Sequence, residues 1–187
     1  NEYYSVLNLA ENIPQVIVIM ILAPFIKKFG KRNLVLWGAV ITVVAQLLLL
    51  VVPANPTFAA VVAAIRGIGK APLFGCVFTM MADVVNYGHW KTGVRVQALI
   101  FSAATVGQKF GGGVAGAVGG WLMDASGFTG LQEEIPSAVA MVENLYIWGT
   151  VLAWAVIIVL MVAYKLDRQY NGMIKDMEQK GMLKQAD

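Results

Sequence analysis

The chain has 187 residues, of which 58% are hydrophobic and 13% charged, and its mean hydropathy is +0.68. A soluble domain carries about 25% charged residues, so this composition excludes a disordered chain, a basic nucleic-acid-binding domain and an ordinary soluble enzyme. The single cysteine, Cys76, excludes a disulfide framework and a cysteine-based metal site, and the excess of 14 Lys+Arg over 11 Asp+Glu is too small to mean anything before its distribution is known.

The chain opens at Asn1 without an initiator Met and without a signal peptide, and it reads as part of a longer product. Residues 12–26, 33–65, 71–82, 96–108, 110–123 and 144–164 carry no charge. A membrane-spanning helix needs about 20 mainly apolar residues. The runs predict an all-α membrane half-domain over 1–187, with spans near 12–28, 34–52, 57–82, 97–122 and 142–164 and a tail over 165–187. Helices are the natural reading because lipid leaves no partner for free backbone amides.

Punctuation supports the divisions. The first span ends at Lys27-Lys28-Phe29-Gly30-Lys31-Arg32, and the second at Pro53-Ala54-Asn55-Pro56, a stop-and-start turn. In the third span Arg66-Gly67-Ile68-Gly69-Lys70-Ala71-Pro72 predicts a break or bend. Arg66, Lys70 and Phe74 share a helical face and either line a cavity or, for Arg66, lie near the outer leaflet and pair with an outer acid. The predicted loop over 81–95 contains Asp83, Tyr87, His89, Lys91 and Arg95. An Asp83–Arg95 pair there would latch the cytoplasmic helix ends, and the lone His89 reads as solvated.

The fourth span carries small residues every four positions, Gly107, Gly111, Ala115 and Gly119, which let another helix approach closely. Ser102, Thr105 and Lys109 share one face of it. Lys109 either faces a water-filled cavity or pairs with an acid on another helix. An ionisable group within the bilayer costs several kcal/mol unless it does one or the other. The chain's own polar faces lack acids to meet Lys70 and Lys109, which suits a partner half elsewhere. In the tail, Leu166, Tyr170, Met173, Ile174 and Met177 recur at helical spacing, as an amphipathic surface helix or a frayed end.

Eleven Lys and Arg fall in the first loop, the third loop and the tail, against none in 1–11, 53–56 and 124–141. The positive-inside rule makes the basic side cytoplasmic, in a cell inner membrane. Five crossings then put the amino end outside, and an odd number of preceding spans is expected.

Asp83-Val84-Val85-Asn86-Tyr87-Gly88-His89-Trp90-Lys91-Thr92-Gly93-Val94-Arg95, with Gly107-Gln108-Lys109-Phe110-Gly111, resembles the glycoside–pentoside–hexuronide:cation symporter family. The resemblance covers essentially the whole chain. It implies the major facilitator fold, here the end of helix 7 and helices 8–12, and symport of a sugar or glycoside with Na⁺, Li⁺ or H⁺. It also implies no other cofactor, no metal site in this segment, and an amino-terminal half as partner. By the same resemblance Lys109, Thr105 and Phe74 match positions of the binding cavity; Lys70 is a cavity candidate on its own account, deep in the third span on the face of Phe74. Asp83 and Arg95 match the cytoplasmic gate, with Tyr87 and Lys91 between them. Asn86 and His89 depart from the usual acids. The competing readings are a facilitator for another solute, such as an organic anion, and a membrane packing protein that transports nothing. No paired carboxylates or nucleophile–base arrangement suggests an enzyme.

Overall fold

The computed structural model describes residues 2–50, 55–130 and 135–180. Among them the structure is helical with no strand: α1 (Glu2–Phe29), α2 (Lys31–Leu48), α3 (Pro56–Thr92), α4 (Gln97–Ala125), α5 (Pro136–Asn144), α6 (Thr150–Ala163) and α7 (Leu166–Gln179). A single wide turn of π-helix, Leu145–Gly149, joins α5 to α6. Four stretches are long and apolar enough to cross a membrane: Ser5–Phe29, Lys31–Leu48, Pro56–Thr92 and Pro136–Ala163. α4, at 29 residues, has the length of the fourth predicted span but is not among these four stretches.

The helix ends follow local chemistry. α1 and α2 are separated only by Gly30, whose φ of +78° suits a residue without a side chain. α2 lacks a cap of its own; instead Asp167 from α7 accepts the Arg32 backbone N–H at 2.8 Å, which places a carboxylate at the positive end of the helix. α3 starts where the sequence predicts. The Asn55 side chain accepts the Thr57 N–H at 3.0 Å, and Pro56 occupies the first turn. The preceding Pro53-Ala54 lies outside the described residues.

Two expectations about α3 are corrected. The helix is continuous across Arg66–Pro72, with no break there. It also continues through the predicted loop and ends only at Gly93, whose left-handed φ of +71° lets its N–H return to the His89 carbonyl. Asp83, Tyr87 and Lys91 are therefore helical residues, and His89 is buried instead of solvated.

α3 is the central helix, flanked by α1 and α2, with α6 against α2. Gly67 and Gly69 allow these approaches. A Cβ on Gly67 would meet the α1 backbone at Glu11, and one on Gly69 would lie 2.8 Å from the Gly38 carbonyl of α2. Leu22, Val35, Cys76 and Met80 form the core that α1, α2 and α3 share, with Ile157 and Met161 of α6 packed on it. The outward faces of α1 and α6 expose Val16, Met20, Leu152 and Val159, as lipid contact requires. The α4 glycines are different. A Cβ on Gly107, Gly111, Gly116 or Gly119 would meet nothing within 4 Å, so no helix among the described residues uses that face.

Of the two readings of the tail, residues Leu166–Gln179 take the helical one, as α7. Its Met173 and Met177 are buried and it lies against α3. The Trp90 indole donates to Asp176 at 2.5 Å, and Lys180 pairs with the same carboxylate at 2.6 Å. The Lys180 bond, then that of Trp90, hold Asp176 below the usual carboxylate range. Of the two bonds only that of Trp90 ties α7 to α3; a depressed acid stabilises the folded state above its unfolded pKa, about 3.9 for aspartate, and loses that contribution as pH falls through its lower folded value. Spin labels at Lys91 and Gln179 should accordingly report a constant distance from pH 7 to about 5 and a broader one only below about pH 4. Asp176→Asn should show the broad distribution already at neutral pH.

Candidate functional site

A polar face on an apolar helix begins the site. On α1, Asn8, Glu11 and Gln15 follow at helical spacing, with Asn12 beside them. On α3, Arg66, Lys70 and Phe74 repeat every four residues. The close α1–α3 approach at Gly67 sets these two faces against each other across a cleft of ≈ 750 Å³, which Tyr146 and Trp154 complete from the π turn and α6. That volume suits a small-molecule ligand, for which pockets run from about 300 to 1,000 Å³.

Charge organises the cleft. Glu11 bridges both cations: one carboxylate oxygen bonds the Lys70 ammonium, and the other lies 3.2 Å from the Arg66 guanidinium. Arg66 is 4% exposed, donates through Nη1 to the Tyr146 hydroxyl, and stands 5.0 Å from the centre of that ring. Its Nε is buried without a hydrogen-bond partner. The π turn positions Tyr146, because the Tyr146 carbonyl accepts from both Gln46 of α2 at 2.9 Å and Thr150 at 2.7 Å. Single wide turns of this kind occur often at functional sites.

Arg66 pairs with an acid, Glu11, and also lines the cleft, so the two readings of it are not exclusive. The expectation that no acid in the chain stands ready for Lys70 is corrected by the same residue. Lys70 and Phe74 line the cleft, whereas Thr105 and Lys109 do not: both are exposed on α4, where the Thr105 hydroxyl bonds the Phe101 carbonyl. Glu11 and Tyr146 are the functional candidates that sequence reasoning missed. Asn8, Glu11 and Gln15, at i, i+3 and i+7 on a greasy helix, were the available signal for the first. No local pattern announces the second.

At the other end of α3, about 20 Å along the axis from Lys70 at 1.5 Å per residue, a second polar cluster joins the basic helix ends. Asp83 is 3% exposed and pairs with Lys31 at 2.5 Å. This corrects the Asp83–Arg95 pair, since Arg95 is exposed in the turn after α3. Arg32 donates to the last carbonyls of α6, Met161 at 2.7 Å and Val162 at 2.9 Å. Tyr87 and Trp90 pack ring to ring at 5.9 Å, with the Lys91 ammonium over both.

A bundle of membrane-length helices with a charged cleft within it and an ionic cluster at one end marks a multi-pass membrane protein. The MFS/sugar transport protein model matches residues 1–168, and the chain belongs to this family, as a member of its glycoside–pentoside–hexuronide:cation symporters. It is 33% identical over 161 residues to the isoprimeverose transporter of Lactiplantibacillus pentosus, covering 82% of this chain and 33% of that protein. An uncharacterized symporter of Bacillus subtilis (strain 168) is 26% identical over 164 residues, 87% of this chain and 36% of its own length. The glucuronide carrier protein homolog of Escherichia coli (strain K12) is 29% identical over 138 residues, 73% of this chain and 30% of its own. The chain thus spans about a third of the length of the curated relatives it matches. No solved structure matches it significantly. Family and relatives are named as transporters, not enzymes.

Proposed function

We propose that the protein containing this chain is a secondary active transporter, carrying a sugar or glycoside together with Na⁺, Li⁺ or H⁺ by alternating access across a bacterial inner membrane. The match to a sugar-transport family over residues 1–168 carries this reading. The names of relatives that transport isoprimeverose or belong with glucuronide carriers agree with it. So does the cleft, where hydrogen-bonding side chains of α1 and the aromatic rings of Phe74 and Trp154 supply what a sugar needs: partners for hydroxyls and flat apolar faces for the ring.

Within this reading α1–α7 serve as the carboxy-terminal half, the basic helix ends and tail are cytoplasmic, and an amino-terminal half completes the path. Lys109 and Thr105, exposed on the glycine-rich face of α4, meet that half. Lys109 senses whether the coupling cation is bound there. Asp83, Tyr87, Lys91 and Arg95 belong to the cytoplasmic gate, which breaks and reforms in each cycle.

The test is external pH recorded on sealed vesicles while α-galactosides, β-xylosides and glucuronides are added in turn, with and without Na⁺. Alkalinisation with one sugar identifies proton symport, and Na⁺-dependent uptake without a pH change identifies a sodium symporter. Transport of no glycoside in either condition would overturn the proposal. Lys109→Ala is expected to abolish accumulation while the protein remains in the membrane; normal accumulation by that variant would remove Lys109 from the coupling role.

A further inference from the structure

Gln46 of α2 is wholly buried, at 0% exposed, and is not among the residues that line the cleft. A buried carboxamide is costly unless both of its ends are bonded. Here only one end is. Nε2 donates to the Tyr146 carbonyl at 2.9 Å, and Oε1 has no partner among the described residues. An apolar side chain would fill the same space without that cost, so the one bond that Gln46 makes accounts for its presence. The bond falls on the wide turn. In a regular α-helix the Tyr146 carbonyl would take the Thr150 N–H, four residues on. That N–H goes instead to the Ile147 carbonyl, and the Tyr146 carbonyl is held by two side chains, the Thr150 hydroxyl and Gln46. Of these only Gln46 comes from another helix, so α2 braces the turn from behind. On the cleft side the Tyr146 hydroxyl accepts from Arg66 Nη1, and Arg66 is itself buried and paired with Glu11. A phenol that accepts a hydrogen bond keeps its own proton to donate. A guanidinium at its oxygen makes it the stronger donor. The Tyr146 side chain is about half exposed on the cleft wall, where this O–H is available to whatever enters.

We propose that Tyr146 donates this hydrogen bond to an oxygen of the bound glycoside, and that Gln46 is the positioning residue that holds Tyr146 in place to do so. The inference rests on the transport reading for the glycoside, and on the chain of contacts from Gln46 through Tyr146 to Arg66 for the residues. Neither Tyr146 nor Gln46 is among the positions that the family resemblance assigns to the cavity or the gate. Tyr146 is fixed from two sides, its hydroxyl by Arg66 of α3 and its main chain by Gln46 of α2. Without Gln46 the carbonyl is free to take the Thr150 N–H as in an ordinary helix. The turn then tightens, α5 rotates against α6, and the phenol leaves the guanidinium.

The test uses the transporter containing this chain, purified in detergent, titrated by calorimetry with methyl β-D-xyloside, methyl α-D-galactoside and methyl β-D-glucuronide; the tightest binder serves for the variants. Tyr146→Phe should weaken its binding roughly tenfold, the effect of one good hydrogen bond. Gln46→Met should weaken it by a similar factor while the thermal midpoint stays the same or rises, because the thioether removes a buried acceptor that has no partner. A residue with a purely structural role would move the midpoint and the affinity together. The double variant should bind no more weakly than Tyr146→Phe alone, since Gln46 acts through Tyr146. Thr150→Val removes the other donor to the same carbonyl and carries the same test should Gln46→Met not fold. A ligand-free measurement checks the placement itself. Spin labels at Ile41→Cys on α2 and Val142→Cys on α5, both exposed positions, should change their separation by about 3 Å or more in Gln46→Met as α5 rotates. Unweakened binding in Tyr146→Phe or Gln46→Met, multiplied losses in the double variant, or an unchanged label distance would overturn the assignment and leave the transport reading standing. A shifted label distance with binding of none of the three glycosides would sink the transport reading and leave Gln46 as the residue that places Tyr146.

Discussion

Gly67→Ala is expected to cost about 3 kcal/mol, the upper end of the usual penalty for overpacking. The reason is what the new methyl meets. It would press on the α1 backbone at Glu11, with the Glu11 carbonyl carbon 3.0 Å away, and a helix backbone cannot rotate aside as a side chain can. The strain must be relieved by moving α1 away from α3. That movement carries Glu11 away from Arg66 and Lys70, leaving two cations in the bundle without their carboxylate. Thermal unfolding in detergent should show a clearly lowered midpoint. Gly88→Ala is the control on the same helix. A Cβ there meets nothing within 4 Å, so the change should stabilise α3 by about 0.5–1 kcal/mol through helix propensity alone. Equal effects of the two substitutions would show that close approach at Gly67 is not what holds α1 in place.

Lys31→Met should be the more damaging half of the second ionic cluster. Asp83 is almost wholly buried, and losing its partner leaves a buried carboxylate with no opposite charge, a loss of about 3–5 kcal/mol in comparable cases. Asp83→Asn should cost much less. Lys31 keeps some solvent, with its side chain 19% exposed, and its ammonium also lies over the Tyr170 ring. The double variant should therefore be more stable than Lys31→Met alone, and the coupling between the two sites should be about 1–3 kcal/mol, as contacting residues show. Additive losses would mean that the pair is incidental to the fold.

The membrane helices were legible because lipid imposes a simple rule on sequence: long uncharged runs between polar stops. The same rule misplaced the end of α3. Charged and aromatic residues over 83–92 look like a loop when helices are expected to stop at the lipid boundary. In fact α3 continues through them to Thr92, where Lys31 of α2 and Asp176 of α7 supply partners for Asp83 and Trp90. Those partners lie 52 and 86 residues away in sequence, beyond any local pattern. The cleft was half legible. Arg66, Lys70 and Phe74 declare a face by their spacing. Which acid meets them depends on how α1 crosses α3, and that is decided by Gly67, whose role reads equally well as a bend. The glycines of α4 read as a surface for another helix, whereas the close helix approaches among the described residues are made at Gly38, Gly67 and Gly69.

The wide turn at Leu145–Gly149 has one further consequence. In a regular α-helix each residue advances the side chains by about 100°. A turn closed over an extra residue shifts the phase between the segments on either side by about that angle. Tyr146 and Trp154 both reach the cleft across this shift, while Gln46 and Thr150 hold its carbonyl in place. The number of residues in this stretch is thus as much a determinant of the cleft as their identity. Loss of one residue would leave every side chain of the last membrane helix chemically intact and put one of the two aromatic walls out of angular register with the other.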